Sequence, residues 1–424
     1  MGITINGSSA AGNIDLGTNG TITDLAVGGL PDGSVDADSM ASIPATKLTG
    51  TIADARFPAT LPAVSGASLT NLPSSPAAYR NLLDNGALTV HQRGNNATNK
   101  TSNGYYGPDR WKTGINHGGF TITQETSSPP TGFTHRVQVK CATQDTSIDA
   151  NASVYLSYSF EGNELQSILK GTSDAKQLTL SFWVKAGITG TCIAEIYDSD
   201  HDRHCCKSYT INTADTWEKK TLTFPADTTG VFGNDNAESL KLLLWLTAGT
   251  NYTSGTLQTT WASTTKANRV VGGNMNFASN VNEYATFAGI QLETGDTATD
   301  FEYRAYGDEL ARCQRYFWMY YYPTAAAKSV MLAHCWSASS AFGHINFPCR
   351  MRTAPSSVLV NGTDYWTAYK TTPNTDNFDS VYMWNSSENS AILEALTNLS
   401  VTEGQSIWVT GNNASASIAF SSEL

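Results

Sequence analysis

The chain is short of charge. Asp, Glu, Lys and Arg make up only 15% of its 424 residues, and acids outnumber bases 37 to 26, for a formal net charge of −11. The Lys and Arg are scattered and form no basic stripe, which argues against nucleic acid as a partner. No stretch approaches the ~20 consecutive apolar residues of a membrane span, so membrane insertion is not expected. The opening MGITINGSSAAGNIDLG has neither the basic nor the apolar region of a secretory signal. Cysteine is scarce and odd in number: seven, irregularly spaced, from Cys141 to Cys349. That pattern argues against a disulfide framework and for reduced, mostly buried thiols. Chemical motifs are missing too. There is no G-x-S-x-G elbow, no phosphate-binding glycine loop and none of the rung repetition of a β-helix. No pair of carboxylates stands out from the turns that hold them, so no enzymatic activity and no cofactor are expected.

What is present is Gly, Ser, Thr and Asn between short apolar runs, the profile of an all-β protein. The length predicts two or three domains. Residues 1–78 carry single, spaced apolar residues (Ile43, Leu48, Ile52, Phe57, Leu61, Val64, Leu69, Leu72) and almost no aromatics. One such chain cannot bury enough apolar surface to offset its ordering entropy. It is either a disordered linker or one strand of a thin stalk wound from identical chains about an axis. The spacing and the β-branched residues favour the stalk.

Residues 79–307 read as clean β. Leu178, Leu180, Phe182 and Val184 alternate with Thr179, Ser181, Trp183 and Lys185. Val154, Leu156, Tyr158 and Phe160 share one face, as do Leu240, Leu242, Leu244 and Leu246. Trp245 falls on the opposite side, half exposed or covered by a neighbour. Period-two alternation predicts antiparallel sheets packed face to face, and the strand count suits a jelly-roll sandwich. Residues 308–424 open with a helix on which Leu310, Cys313, Tyr316 and Phe317 form one stripe, with Asp308 and Glu309 at its start and Arg312 and Arg315 toward its end. Short strands follow, enough for one smaller β-sandwich.

The junction between these segments resembles an element of bacteriophage tail fibre and receptor-binding proteins. The matching residues are Gln291-Leu292-Glu293 with Gly295, Ala298-Thr299, Phe301-Glu302, Glu309-Leu310 and Cys313-Gln314-Arg315-Tyr316. "NLLDNGALTVHQRG", "GPDRW", "INFPCRMRTAPSSV" and the closing "IAFSSEL" look like the same group, and "LTGTIADARFP" looks like fibre shaft sequence. The resemblance implies a virion component, assembled in the host cytoplasm as a homotrimer. Its N-terminal segment would be held by another tail protein. Its jelly roll, similar to galactose-binding-like carbohydrate-binding modules, and its distal sandwich would contact host-surface polysaccharide. A tail polysaccharide depolymerase and a purely structural tail component are the other readings.

Residue types suggest two candidate sites. "NGTDYWTAYKTTPNTDNF" mixes aromatics that stack on sugar faces with groups that bind hydroxyls: Asp364, Tyr365, Trp366, Tyr369, Asn374, Asp376 and Asn377. Trp366 and Tyr369 also fit an ordinary core or interface strand. "DSDHDRHCC" (Asp198 to Cys206) offers metal-ligand chemistry without a zinc or calcium spacing, so a polar hairpin tip is expected there and no metal. In "GPDRW", Trp111 is expected to pack, with Asp109 and Arg110 forming a local ion pair.

Overall fold

The computed structural model describes residues 80–424 except 95–96, 274, 324–327 and 372–373. The expected stalk, residues 1–78, lies outside the described residues. The described part is nearly all β, arranged as packed sheets of the sandwich and jelly-roll kind.

The first sheet has the order β1 (Ala97–Lys100), β3 (Gly119–Glu125), β4 (Arg136–Thr143), β12 (Tyr284–Thr294), β6 (Leu178–Ala186), β9 (Glu218–Phe224). The second runs β11 (Ala262–Ser263), β8 (Arg203–Ile211), β7 (Gly190–Asp198), β10 (Glu238–Ala248), β5 (Ser153–Glu161), β2 (Trp111–Ile115). All pairings in both are antiparallel. The alternation read from the sequence puts the inner faces together. Leu156, Tyr158 and Phe160 of β5, Leu240, Leu242 and Leu244 of β10 and Leu180, Phe182 and Val184 of β6 belong to one buried cluster. Each such side chain contributes roughly 1.5–3 kcal/mol on burial.

A second set of strands follows the helix Tyr306–Gln314. β13 (Phe317–Tyr321), β22 (Ser417–Ser421) and β16 (Ser356–Val360) form a small sheet. Opposite it lies a larger one in the order β18 (Thr375–Phe378), β17 (Trp366–Tyr369), β21 (Ser406–Gly411), β14 (Ser329–Ser337), β15 (Ser340–Asn346), β20 (Ser390–Leu396), β19 (Ser380–Ser386). Their shared core includes Trp366, Phe378, Leu393, Ile418 and Phe420.

Charged side chains stitch the strands after the helix to those before it. Arg315 donates two hydrogen bonds to Glu161 at the end of β5, Nε to Oε1 at 3.0 Å and Nη2 to Oε2 at 2.6 Å. Tyr316 donates its hydroxyl to the same carboxylate. Arg110 is fully buried between the rings of Tyr158 and Tyr316 and bonds the Ser159 carbonyl at 2.8 Å. Trp111 packs in the core as expected, but the expected Asp109–Arg110 pair does not form. Asp109 instead pairs with Arg93 at 3.1 Å, and Arg110 reaches Glu423 at 3.5 Å. Arg110 has a left-handed backbone (φ 74°), and a fully buried guanidinium needs acceptors that its neighbour's already committed carboxylate does not offer.

Glu164 sits beside this network with Oε2 buried and without a hydrogen-bond partner. Burial, reinforced by the charge of Asp84, pushes its pKa up to about 7. A carboxylate raised on folding favours the folded state fully below its unfolded pKa. That contribution is lost as pH rises toward about 7. Glu164→Gln, which mimics the protonated form, is therefore expected to unfold at a higher denaturant midpoint than wild type at pH 8, by on the order of 1 kcal/mol. At pH 4.5 the two proteins should match. Equal midpoints at pH 8 would contradict the assignment.

Candidate functional site: an aromatic cleft on the jelly roll

The outward face of the second sheet carries a different set of side chains from its inward face, because each strand alternates. Trp245 of β10 is the direct cross-strand partner of Tyr155 on β5 and of Ile193 on β7. Tyr155 in turn faces Gly114 of β2. A Cβ at Gly114 would meet the Tyr155 ring at 2.2 Å, so only glycine lets that ring lie over β2. Tyr252, from the short helix Thr250–Thr253, completes the row. The ring centroids of Tyr155 and Tyr252 lie 5.1 Å from that of Trp245 in each case.

These rings border a cleft of about 490 Å³. Thr101, Ser102, Asn103, Asn116 and Ser153 supply hydroxyl and amide groups along it, and Ile115, Leu243 and Arg269 complete the lining. Trp245 is itself almost fully buried, while Tyr155 and Tyr252 remain partly accessible. The expectation that Trp245 is covered by a neighbour thus resolves to Tyr155 and Tyr252.

Beneath the rings lies a buried carboxylate. Glu195 of β7 accepts hydrogen bonds from Trp245 Nε1 at 2.8 Å and from Arg269 Nε at 2.8 and 3.0 Å. His204 Nδ1 lies 3.1 Å from Glu195 Oε1, which places the proton on Nδ1, since a carboxylate only accepts. Burial alone would raise the Glu195 pKa, but the bonds from His204 and Arg269 outweigh it and hold it below the usual carboxylate range. Arg269 lies 5.2 Å from the Trp245 ring and 5.5 Å from that of Tyr197. Burial opposes its charge, and Glu195 more than compensates.

Glu195, His204 and Cys206 also lie close enough together to ligate a metal. The chemistry of the set argues against it. Both Glu195 oxygens are already engaged, and Arg269 supplies the cation. Burial, and then the charge of Glu195, push the Cys206 thiol far above the ordinary range, so thiolate is disfavoured.

The "DSDHDRHCC" segment divides between a turn and a strand. Only its first part is a hairpin tip; His204, Cys205 and Cys206 lie within β8 and are buried. At the tip, the buried Asp198 accepts from the backbone N–H groups of Asp200 and His201 and from Lys170 Nζ at 2.6 Å. The same ammonium bonds the carbonyls of Thr229 (2.7 Å) and Gly230 (2.8 Å) and lies 3.1 Å from Asp227. Lys170 thus fills the place in this oxygen cage that a metal cation would take.

The structure divides the aromatic loop of the last segment between two faces. Trp366 and Ala368 point inward; Trp366 is fully buried, its indole donating to Asn361 Oδ1 at 2.8 Å. It is a core residue rather than a sugar platform. Tyr365 packs against the same core. Tyr369 points outward, half-exposed, beside Trp408 at 5.6 Å. Asn377 accepts from Thr367 Oγ1, and Asp376 accepts the Ser400 backbone N–H at 2.6 Å. Asp364 and Asn374 are exposed, and the carbonyl of each accepts a hydrogen bond, from Asn412 Nδ2 and Lys370 N respectively. These seven residues therefore do not converge on one pocket. Tyr369 instead belongs to an outward face of the seven-stranded sheet that also exposes Trp408, Leu332, Trp336, Tyr382 and Trp384. Trp408 pairs across strands with both Tyr369 and Leu332.

No family model matches the sequence, and no curated protein matches it. Among solved structures, the chain is similar to the enzymatically active domain of tailspike protein 4 of bacteriophage CBA120, at 13% identity and a TM-score of 0.28, over 51% of this chain and 22% of that one. It is also similar to a family 61 carbohydrate-binding module in complex with β-1,4-galactotriose, at 10% identity and a TM-score of 0.26, over 51% of this chain and 99% of that one. The CBM22-1 xylan-binding domain of Paenibacillus barcinonensis Xyn10C matches at 13% identity and 0.23, over 48% of this chain and 95% of that one. Scores of this size carry no weight for function, which rests on the geometry above.

The Lys170 cage makes a test available. Lys170→Met leaves Asp198 and Asp227 as neighbouring buried carboxylates, a change expected to cost about 3–5 kcal/mol in chemical denaturation. Wild type should keep its Tm after dialysis against EDTA, because its own ammonium fills the cage. A Tm that drops on chelation would show that the cage depends on a metal.

Proposed function

We propose that the chain is a non-enzymatic attachment protein of a bacteriophage tail that binds host-surface glycan through the cleft on its jelly roll. The observation that carries this reading is the cleft itself. Tyr155, Trp245 and Tyr252 form an aromatic wall, and hydroxyl and amide side chains face the same space. Sugars offer flat C–H faces to such rings and hydroxyls to such polar groups. The sequence resemblance to tail fibre and receptor-binding proteins supports the setting. In the proposed assembly the N-terminal segment is held by another tail protein, and three chains associate. The outward face of the seven-stranded sheet supports association between copies, because contiguous exposed aromatic and aliphatic groups mark contact surfaces. Weak glycan contacts repeated over three chains then multiply into avidity.

A depolymerase reading requires two carboxylates flanking a scissile bond, about 5–10 Å apart. Glu195 is buried beneath the rings with both oxygens committed, and the described residues lining the cleft include no carboxylate. Binding without hydrolysis fits this arrangement better.

Tyr252→Ala removes one wall of the cleft from the edge, without opening the core. Binding of labelled full-length protein to susceptible host cells is expected to weaken about tenfold, equivalent to about 1.4 kcal/mol. Full binding by that variant, with loss in Tyr369→Ala, would move the site to the seven-stranded sheet. In sedimentation equilibrium the full-length chain is expected at the mass of three copies, and a monomer would remove the assembly proposed here.

A further inference from the structure

We propose that the cleft is selective for acidic saccharides, and that a sugar carboxylate docks on the outer edge of the Arg269 guanidinium. This rests on the cleft being the glycan site and specifies what kind of glycan it takes.

The chain as a whole repels anions, with a formal charge of −11. Its cleft does not follow that balance. Among the described residues that line it, the only one with a formal charge is a cation, Arg269. That side chain is held in place before any ligand arrives. Its Nε donates to both oxygens of Glu195, and its guanidinium lies near the rings of Trp245 and Tyr197. Only the Nε side is used in this way. Among the described residues, the two terminal nitrogens have no hydrogen-bond partner, and the side chain keeps 18% of its accessibility. The unused Nη1–Nη2 edge presents two parallel N–H donors, the geometry that matches a carboxylate bidentately.

The nearby charges also favour an anion. A ligand carboxylate beside Glu195 brings two negative charges together. Arg269 offsets one. A second cation, Lys266, stands behind the cleft lining, its ammonium 4.6 Å from the Tyr252 ring and 2.9 Å from Asn151 Oδ1. A neutral sugar would leave the Arg269 donors facing only water, so the cleft distinguishes the two classes by a bond that only one can make.

The test is a glycan array of uronate- and sialate-containing oligosaccharides, each paired with its carboxyl-reduced neutral counterpart. It is probed with the full-length protein and with Tyr252→Ala, Arg269→Gln and Arg269→Lys variants whose thermal unfolding has been checked. Acidic members are expected to bind about tenfold more tightly than their reduced partners. Arg269→Gln should erase the acidic-over-neutral ratio, and Arg269→Lys should keep part of it, since it retains the charge and loses the fork. Neutral and acidic members binding equally, with both lost in Tyr252→Ala, would overturn the acidic preference and leave the cleft as the glycan site. An acidic preference that survives Arg269→Gln would overturn the docking edge. Absence of binding across the array, or binding indifferent to Tyr252→Ala, would overturn the glycan-cleft reading and this inference with it.

Discussion

The buried Glu195 carboxylate organises the outward face of the jelly roll. A charge at zero exposure is tolerated only when its lone pairs are met. Here the donors are Trp245, Arg269 and His204, drawn from three separate stretches of chain. Satisfying one carboxylate therefore fixes the indole that anchors the aromatic wall and the guanidinium that gives the cleft its charge. Tyr155 and Tyr252 then pack on Trp245, and Gly114 supplies the room that Tyr155 needs.

The same economy recurs elsewhere. Buried cations tie loops and sheets together where a metal or a disulfide is often used. Lys170 joins the β7–β8 turn to the segment around Asp227, and Arg110 joins the jelly roll to the strands that follow the helix. All seven cysteines are unpaired, and six of them are buried. In a chain with so little charge, the few cations that fold inward become structural.

The sandwich faces were legible in the sequence because a pleated strand records its environment at every second residue. Leu240, Leu242, Leu244 and Leu246 needed no further information to be placed inside. The cleft was not legible, because its parts come from Tyr155, Glu195, Trp245, Tyr252 and Arg269, and only cross-strand register brings them together. One signal was available: Trp245 stood on the wrong side of an otherwise complete apolar strand. The same pleat explains why the aromatic loop misled. Trp366 and Tyr369 are three residues apart in one strand, so they face opposite ways. Composition registers that aromatics and amides are present, but not that the pleat separates them. The Asp198 segment reads as a polar hairpin tip without a metal, but what satisfies its carboxylate was not legible for a similar reason, since the ammonium arrives from residue 170, outside any local motif.

The most direct measurement is a crystal structure of the full-length protein with an oligosaccharide that host cells display and the protein binds. A sugar ring packed on Tyr155 or Tyr252, with polar groups reaching Asn103, Asn116 or Arg269, is the result this account requires. A saccharide seated on the seven-stranded sheet near Trp408, with the jelly-roll cleft empty, would contradict it.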